Sequence, residues 1–376
     1  MELFEYTGSI ETELVKRANK ERLPIGGTME LLPLCNMNCK MCYIRLSKQQ
    51  METQGRMLSC DEWLRIAESA REAGVLFLML TGGEPLMYPE FERLYLELTK
   101  MGFIMTMNTN ATILDGRLAD MFAEHPIRRL NITLYGADNA VYEKLCGNPN
   151  GFTQVMNAIR LLEERHLRFG FNYTITPENE HQVHEAFQIA REHQVQLDAA
   201  DYMFPPMRKA GINVDRFTRL SPKESVEVRL KVLQELNPGM KLRDIAINLL
   251  RKSGKFDAEE LSKLEGPNCT AGRSGFWINW KGELLPCGML TTPQISLLGK
   301  SFKTCWEYIT EETKKINRCK KCDECGYVGL CPSCSAACLT ETGSTDGCPD
   351  YLCVRTKELL KKCTEILEAS KGDFDL

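Results

Sequence analysis

Cys35-Asn-Met-Asn-Cys39-Lys-Met-Cys42-Tyr43 places three cysteines at C-x3-C-x2-C spacing, directly behind an apolar run, Met29-Glu-Leu-Leu-Pro-Leu34. Thiolates are soft ligands, and cysteine sulfur holds four-iron clusters. A cluster normally takes four such ligands, so three close together leave one iron open to a substrate-like ligand. The same spacing suits a structural zinc ion that borrows a fourth cysteine from elsewhere, or three buried thiols.

A second stretch narrows the choice. Leu76-Phe-Leu-Met-Leu80 reads as a short buried strand and runs into Thr81-Gly82-Gly83-Glu84-Pro85. Two glycines let backbone approach a ligand closely, and a glutamate beside them can receive a cationic group. At this distance behind a C-x3-C-x2-C-aromatic loop, the pair resembles the radical S-adenosylmethionine (SAM) enzymes, over roughly residues 28–200. The resemblance implies that Cys35, Cys39 and Cys42 hold a 4Fe–4S cluster whose open iron binds the amino and carboxylate groups of SAM. It further implies that Gly82, Gly83 and Glu84 contact the methionine amino group, and that Tyr43 lies near the adenine.

Composition bounds the remaining classes. The chain has 376 residues, 43% of them hydrophobic, enough for two or three domains with a sizeable core. A net charge of −4 gives no basic field, so no nucleic-acid partner is expected. The N-terminus lacks the layout of a signal peptide, and no apolar run approaches a membrane span. A cytoplasmic protein with no membrane partner is expected. Seventeen cysteines in such a chain point to metal or redox centres rather than disulfides, and eleven of them fall from Cys269 to Cys353.

From Thr28 to about Ala200, short apolar strands alternate with amphipathic helices. Strands are expected near 28–34, 75–80, 103–107, 129–135, 169–175 and 196–201, and helices near 60–73, 89–101, 115–124, 151–165 and 181–193. Ser59 with Glu62 reads as a capping box for the first of these helices. Alternation implies a parallel sheet with right-handed crossovers. Six units fit an α/β fold, a partial (β/α)6 TIM-like barrel, followed by a small Cys-rich C-terminal domain. The expected organisation is an N-terminal extension over 1–27, the barrel over 28–201, a helical bridge over 202–266, the Cys-rich domain over 267–355, and a C-terminal helix and tail over 356–376. Helices near 10–20, 221–236, 241–252 and 257–264 complete this reading.

Strand ends near the barrel mouth carry polar groups. By the same resemblance, Asn108, Asn110, Thr133 and Tyr135 contact the ribose and methionine groups of SAM, and Lys144 pairs with its carboxylate. Asn is also a common turn former, and Lys144 equally reads as a solvated helix lysine. Asn172 and Thr174 are weaker candidates.

The cysteine-rich end opens with Cys269-x12-Gly282-x4-Cys287, spanning an expected hairpin with Lys281-Gly282 at its turn. Cys319, Cys322, Cys325, Cys331, Cys334, Cys338, Cys348 and Cys353 follow, with no histidine among them. A zinc ribbon would engage four of these thiols and leave the rest without a role. The layout resembles the SPASM extension, which carries two auxiliary 4Fe–4S clusters on C-x9–15-G-x4-C, C-x2-C-x5-C-x3-C and a final Cys. Here Cys334 follows Cys331 by x2, and the x3 spacing comes one step later, at Cys338. The resemblance assigns Cys269, Cys287 and either Cys334 or Cys338 to one cluster, with Cys319 as its fourth ligand or spare. It assigns Cys322, Cys325, Cys331 and Cys353 to the other, with Cys348 as a rival for the last place. Cys60, Cys146, Cys305 and Cys363 are isolated and are expected to pack as small hydrophobes.

The resemblance thus implies three 4Fe–4S clusters, SAM, and reductive cleavage of SAM to a 5′-deoxyadenosyl radical. Enzymes of this class mostly modify peptides or proteins. The leading expectation is maturation of a ribosomally made peptide through a thioether or carbon–carbon crosslink. Formylglycine formation by an anaerobic sulfatase maturase is the runner-up, and a non-catalytic zinc-binding scaffold is the alternative of another class. A peptide or protein substrate and a reductant such as flavodoxin or ferredoxin are implied partners. The 34 residues ahead of Cys35 are too few for the winged-helix leader-recognition domain of some such enzymes, so a separate leader-peptide-binding protein joins them.

Overall fold

The computed structural model describes residues 9–206, 218–252 and 265–370. The helix expected near 257–264 lies outside them. A first helix, α1 (Ser9–Glu21), leads into strand β1 (Gly26–Glu30). After the cysteine loop come α2 (Lys48–Gln54), α3 (Cys60–Glu72), β2 (Phe77–Thr81), α4 (Phe91–Lys100) and β3 (Ile104–Thr109). They are followed by α5 (Gly116–Glu124), β4 (Arg129–Thr133), α6 (Asn139–Cys146), α7 (Gly151–Glu164), β5 (Phe169–Thr174), α8 (Val183–Glu192) and β6 (Leu197–Ala200). The six strands pair in parallel in sequence order, as strand–helix alternation requires. β1 and β2 are buried along their whole length, as expected of parallel strands covered on both faces.

Local chemistry explains the helix starts. Ser59 and Glu62 form the reciprocal cap of α3, and Ser47 with Gln50 caps α2 in the same way. Asp138 caps α6, and Gly147 closes it in the left-handed conformation at φ 69°. β1 stops at Glu30 instead of running on to Leu34. Pro33 has no N–H to give a ladder, and the carbonyls of Leu32 and Leu34 accept from Gly83 and Glu84 at 2.7 and 2.9 Å.

The sheet does not end at the barrel. β7 (Gly275–Ile278) pairs in parallel with the free edge of β1, and β8 (Glu283–Leu285) and β9 (Ile295–Ser296) extend it to nine strands. Gly27 makes this junction fit: a Cβ there would lie 2.0 Å from the Phe276 ring. Trp277 Nε1 donates to the buried Glu30 carboxylate at 2.8 Å across the same seam. The β7–β8 hairpin turns at Gly282, φ 77°, where the sequence predicts it.

α9 (Pro222–Leu236) and α10 (Leu242–Lys252) pack with a long C-terminal helix, Asp350–Ala369, around Val226, Leu230, Ile245, Leu249, Leu359 and Cys363. That helix begins at Asp350, so Cys353 lies in its first turn and the expected boundary at 356 falls inside it. Buried Arg355 ties it to Asp201, just past β6, and to Ser225 on α9. No helix among the described residues is long and apolar enough to cross a membrane.

Candidate active site

The C-terminal ends of β1, β2, β3 and β4 converge on the cysteine loop. Each sulfur of the triplet accepts a hydrogen bond. Cys35 Sγ accepts from the Met37 amide at 3.4 Å and from Asn110 Nδ2 at 3.6 Å. Cys42 Sγ accepts from the Arg45 amide at 3.2 Å. Cys39 is met by the thiol of Cys146 and the hydroxyl of Tyr135. The Cys146 bond is the largest influence holding Cys39 below the usual thiol range, with Tyr135 and the Arg45 charge adding to it against burial. Cys35, with fewer compensating donors, is pushed up to about 12 by burial.

This donor set fits a thiolate-held cluster. Three sulfurs sit in one loop, every one of them receives a polar hydrogen, and Arg45 Nε is buried beside them without a hydrogen-bond partner. An anionic group in the loop would supply what that nitrogen lacks.

Glu84 closes the next strand end and is fully buried. Thr109 Oγ1 and the amides of Asn110 and Leu86 donate to it at 2.7, 2.8 and 3.1 Å. Burial outweighs these three donors and lifts the carboxyl to about 7. A cationic amine is the complement such a group lacks.

The remaining residues singled out in the sequence have the following surroundings. Gly82 and Gly83 serve a backbone junction: Cβ atoms there would lie 2.6 Å from the Leu32 carbonyl oxygen and 2.1 Å from that of Leu34. Their smallness lets β2 press against the cysteine loop. Asn110 is engaged within that loop, donating to Asn36 Oδ1 at 2.9 Å and accepting from Thr112 Oγ1 at 2.6 Å. Asn108 accepts from Asn131 at 2.9 Å, and Thr133 ends β4 half-buried. Tyr135 packs edge-on against Tyr142 at 5.7 Å, with its hydroxyl on Cys39. Lys144 is exposed on α6, which turns Leu145 and Cys146 toward the cysteine loop instead: their carbonyls accept from the Lys40 and Asn38 amides at 3.0 and 2.8 Å. Cys146 is therefore no inert core thiol, whereas Cys60, Cys305 and Cys363 are fully buried apolar packing.

The C-terminal thiols gather in two regions. Cys269, Cys287 and Cys334 are mutual neighbours, and the amides of Met289 and Ala337 donate to Cys287 and Cys334 at 3.4 Å each. Burial pushes Cys287 up to about 11. The others form one continuous group: Cys348 Sγ lies 3.4 Å from Cys353 Sγ and 4.0 Å from Cys322 Sγ, with Cys325 and Cys331 beside Cys353 and Cys319 beside Cys322. Tyr43 and Phe204 pack on the apolar cluster of Met289, Leu290 and Ala336, which also includes Cys287 and Cys334. The loop at the barrel mouth and the first thiol group thus share one wall.

Comparison with known proteins agrees with this arrangement. The family model described as the radical SAM superfamily matches residues 29–190. These residues are a radical SAM domain. It is 25% identical to the AdoMet-dependent heme synthase of Methanosarcina barkeri over 86% of this chain and 93% of that protein. It is 22% identical to the antilisterial bacteriocin subtilosin biosynthesis protein AlbA of Bacillus subtilis, over 84% of this chain and 68% of that protein. In fold it resembles Streptococcus suis SuiB bound to its precursor peptide SuiA, with a TM-score of 0.67 at 17% identity, covering 94% of this chain and 83% of SuiB. A radical SAM domain implies a 4Fe–4S cluster and SAM, and sets aside a purely structural zinc scaffold.

Proposed function

We infer that this radical SAM enzyme matures a peptide or protein, most directly by an oxidative crosslink in a ribosomally made peptide. The observation that carries the reading is the shared apolar wall of Tyr43, Phe204, Met289, Cys287 and Cys334. It supports the reading because it brings thiols of the C-terminal region into one packed cluster with Tyr43 of the cysteine loop. AlbA and the peptide-bound SuiB structure support the same substrate class.

In this reading Cys35, Cys39 and Cys42 hold the cluster, Glu84 receives the SAM amino group, and Tyr43 lines the adenine side. When bound, the cluster and SAM supply reductive cleavage to a 5′-deoxyadenosyl radical, which removes hydrogen from unactivated carbon. The protein's part is positional and electrostatic. Tyr135 and Cys146 stabilise the Cys39 thiolate, Asn110 and Asn36 fix the loop, and the Tyr43–Phe204–Leu290 wall keeps water from the reacting carbon. Thiols at Cys269, Cys287 and Cys334 are placed to hold an auxiliary cluster beside the substrate.

The test is incubation of anaerobically reconstituted protein with SAM, a reductant and short peptides encoded beside its gene. A peptide that loses two hydrogens per crosslink, with matching 5′-deoxyadenosine, is the expected product. Conversion of a Cys or Ser to formylglycine would replace the crosslink by the sulfatase-maturase activity. Replacing Cys35, Cys39 and Cys42 with Ala should abolish 5′-deoxyadenosine while C-terminal iron is retained; persisting turnover would place the radical site elsewhere. The 25% identity that spans 93% of the Methanosarcina barkeri heme synthase favours a second reading, a step of heme synthesis. Turnover of a heme precursor, with no peptide altered, would select it.

A further inference from the structure

We propose that the free edge of β6 is a strand-addition site, on which an extended segment of the peptide substrate docks so that its reacting residue enters the barrel mouth. The inference rests on the peptide reading above. β6 ends the nine-stranded sheet, and among the described residues it pairs with β5 alone, in parallel. The amides of Phe171 and Ile175 donate to the Gln196 and Ala200 carbonyls. Along a parallel strand, neighbouring residues turn their backbone groups to opposite sides. Asp198 and Ala200 therefore give theirs to β5, and the N–H and C=O of Leu197 and Ala199 face outward. Among the described residues these outward groups have no hydrogen-bond partner.

The two ends of the sheet differ. At the other end β9 is two residues long, follows Pro293, and its Ser296 carbonyl accepts from the Cys305 thiol at 3.6 Å. Proline, very short strands and covering groups are how edges are closed to other chains. β6 is longer and holds neither proline nor lysine, and Asp198 and Ala200 are exposed. Its one charge, Asp198, is engaged by Gln196 Nε2 at 3.0 Å and by Arg129 at 3.8 Å. A second extended backbone is the group that matches alternating donors and acceptors along such an edge.

The docking track has defined ends. Beyond Ala200 the edge is taken: Ser225 Oγ, on α9, donates to the Asp201 carbonyl at 3.0 Å. A strand lying on β6 leaves it there, at the barrel mouth, close in sequence to Phe204 of the apolar wall. At the opposite end, Gln196 lines a cavity of about 620 Å³ together with Arg129, Glu163, Arg168 and His193. Glu163 pairs with His193 at 2.7 Å, and Arg129 with Asp198. Arg168 is exposed and, among the described residues, has no ion pair, so it is the charge left for a ligand. It fits an acidic side chain at the start of the docked segment. Addition in parallel, the direction of every neighbour from β1 to β6, sets that start in the cavity and the following residues at the mouth.

The experiment uses the full chain, reconstituted anaerobically, and the gene-neighbour peptide that the wild type converts. Ala199→Pro removes the outward N–H and leaves the β5–β6 bonds in place, since proline is tolerated on an edge strand with its nitrogen turned outward. Ala199→Ser keeps the N–H. The peptide KM should rise about tenfold in Ala199→Pro and stay near wild type in Ala199→Ser, with iron content and peptide-free 5′-deoxyadenosine formation as in wild type. An unchanged KM in Ala199→Pro, with the peptide still converted, would overturn the strand addition and leave the peptide reading standing. Conversion of no peptide by the wild type would remove both. Loss of a wild-type dimer in Ala199→Pro at unchanged KM would give the edge to a second copy and overturn the proposal. Should Ala199→Pro fail to fold, singly N-methylated peptides decide on the wild-type enzyme. Loss of turnover at every second position supports the added strand, and loss without that period rejects it.

Discussion

Cys146 gives its thiol hydrogen to the sulfur of Cys39, although more than a hundred residues separate them in the chain. The Tyr135 hydroxyl reaches the same sulfur from the end of β4. Hydrogen bonds to ligand sulfur stabilise the more electron-rich state of a cluster, and so set its potential. Cys146→Ala and Tyr135→Phe should each lower the midpoint of the cluster proposed on Cys35, Cys39 and Cys42. A bond worth about 1 kcal/mol corresponds to roughly 40 mV for a one-electron couple. An anaerobic redox titration followed by EPR reads this directly; an unchanged midpoint in both variants would remove these residues from any tuning role.

With Glu84 as the proposed acceptor of the SAM amino group, SAM binding should depend on pH near neutrality. Burial raises its carboxyl to about 7 in the unliganded protein. The ionised form attracts the SAM amino group and the protonated form does not, so affinity should weaken as pH falls through about 7. Well below that point the loss approaches tenfold per pH unit, since binding must then expel a proton. Dissociation constants for SAM between about pH 6 and 8 test the slope. Glu84→Gln should bind weakly across the range with the slope flattened.

The barrel and the β7–β8 turn were legible because local pattern and global fold agree there. The β1–β6 alternation, the Ser59–Glu62 cap and the Gly282 turn all follow from nearest-neighbour chemistry. What escaped the sequence reading depends on contacts between distant segments. The strand expected from residue 28 begins already at Gly26, inside the expected extension, and Gly27 makes room for Phe276. Nothing in the periodicity of residues 275–278 says that they add to the edge of β1. Cys146 looked isolated for the same reason. Lys144 was singled out as a basic residue in the right stretch, but helical phase points its neighbours, not Lys144 itself, at the loop.

The glycine pair makes a sharper demand than access for a ligand. A methyl group on residue 83 would meet the Leu34 carbonyl oxygen at 2.1 Å, and backbone cannot yield as a flexible side chain can. Gly83→Ala should push the cysteine loop away from β2 and break the Glu84 amide bond to Leu34. SAM-dependent 5′-deoxyadenosine should fall at least tenfold, and the EPR shift produced by SAM should shrink, while C-terminal iron stays constant. Wild-type turnover by this variant would mean that the two backbones are not held together in solution.

The Asp201–Arg355 pair fastens the C-terminal helix to the barrel. The Arg355 and Asp201 side chains are 4% and 10% exposed, and Ser225 Oγ accepts from Arg355 Nε at 2.8 Å. Removing one member leaves the other charged, buried and unpaired, which costs about 3–5 kcal/mol, whereas replacing both by neutral groups of similar volume is often close to neutral. Arg355→Ala should therefore lower the urea midpoint markedly, and Asp201→Asn with Arg355→Met should recover most of the loss. Because Cys353 lies in the first turn of the same helix, the single variant should also release iron from the C-terminal region faster under a chelator, while the cluster on Cys35, Cys39 and Cys42 persists. Equal destabilisation by the single and double variants would show that the helix is held by its apolar face around Leu359 and Cys363 alone.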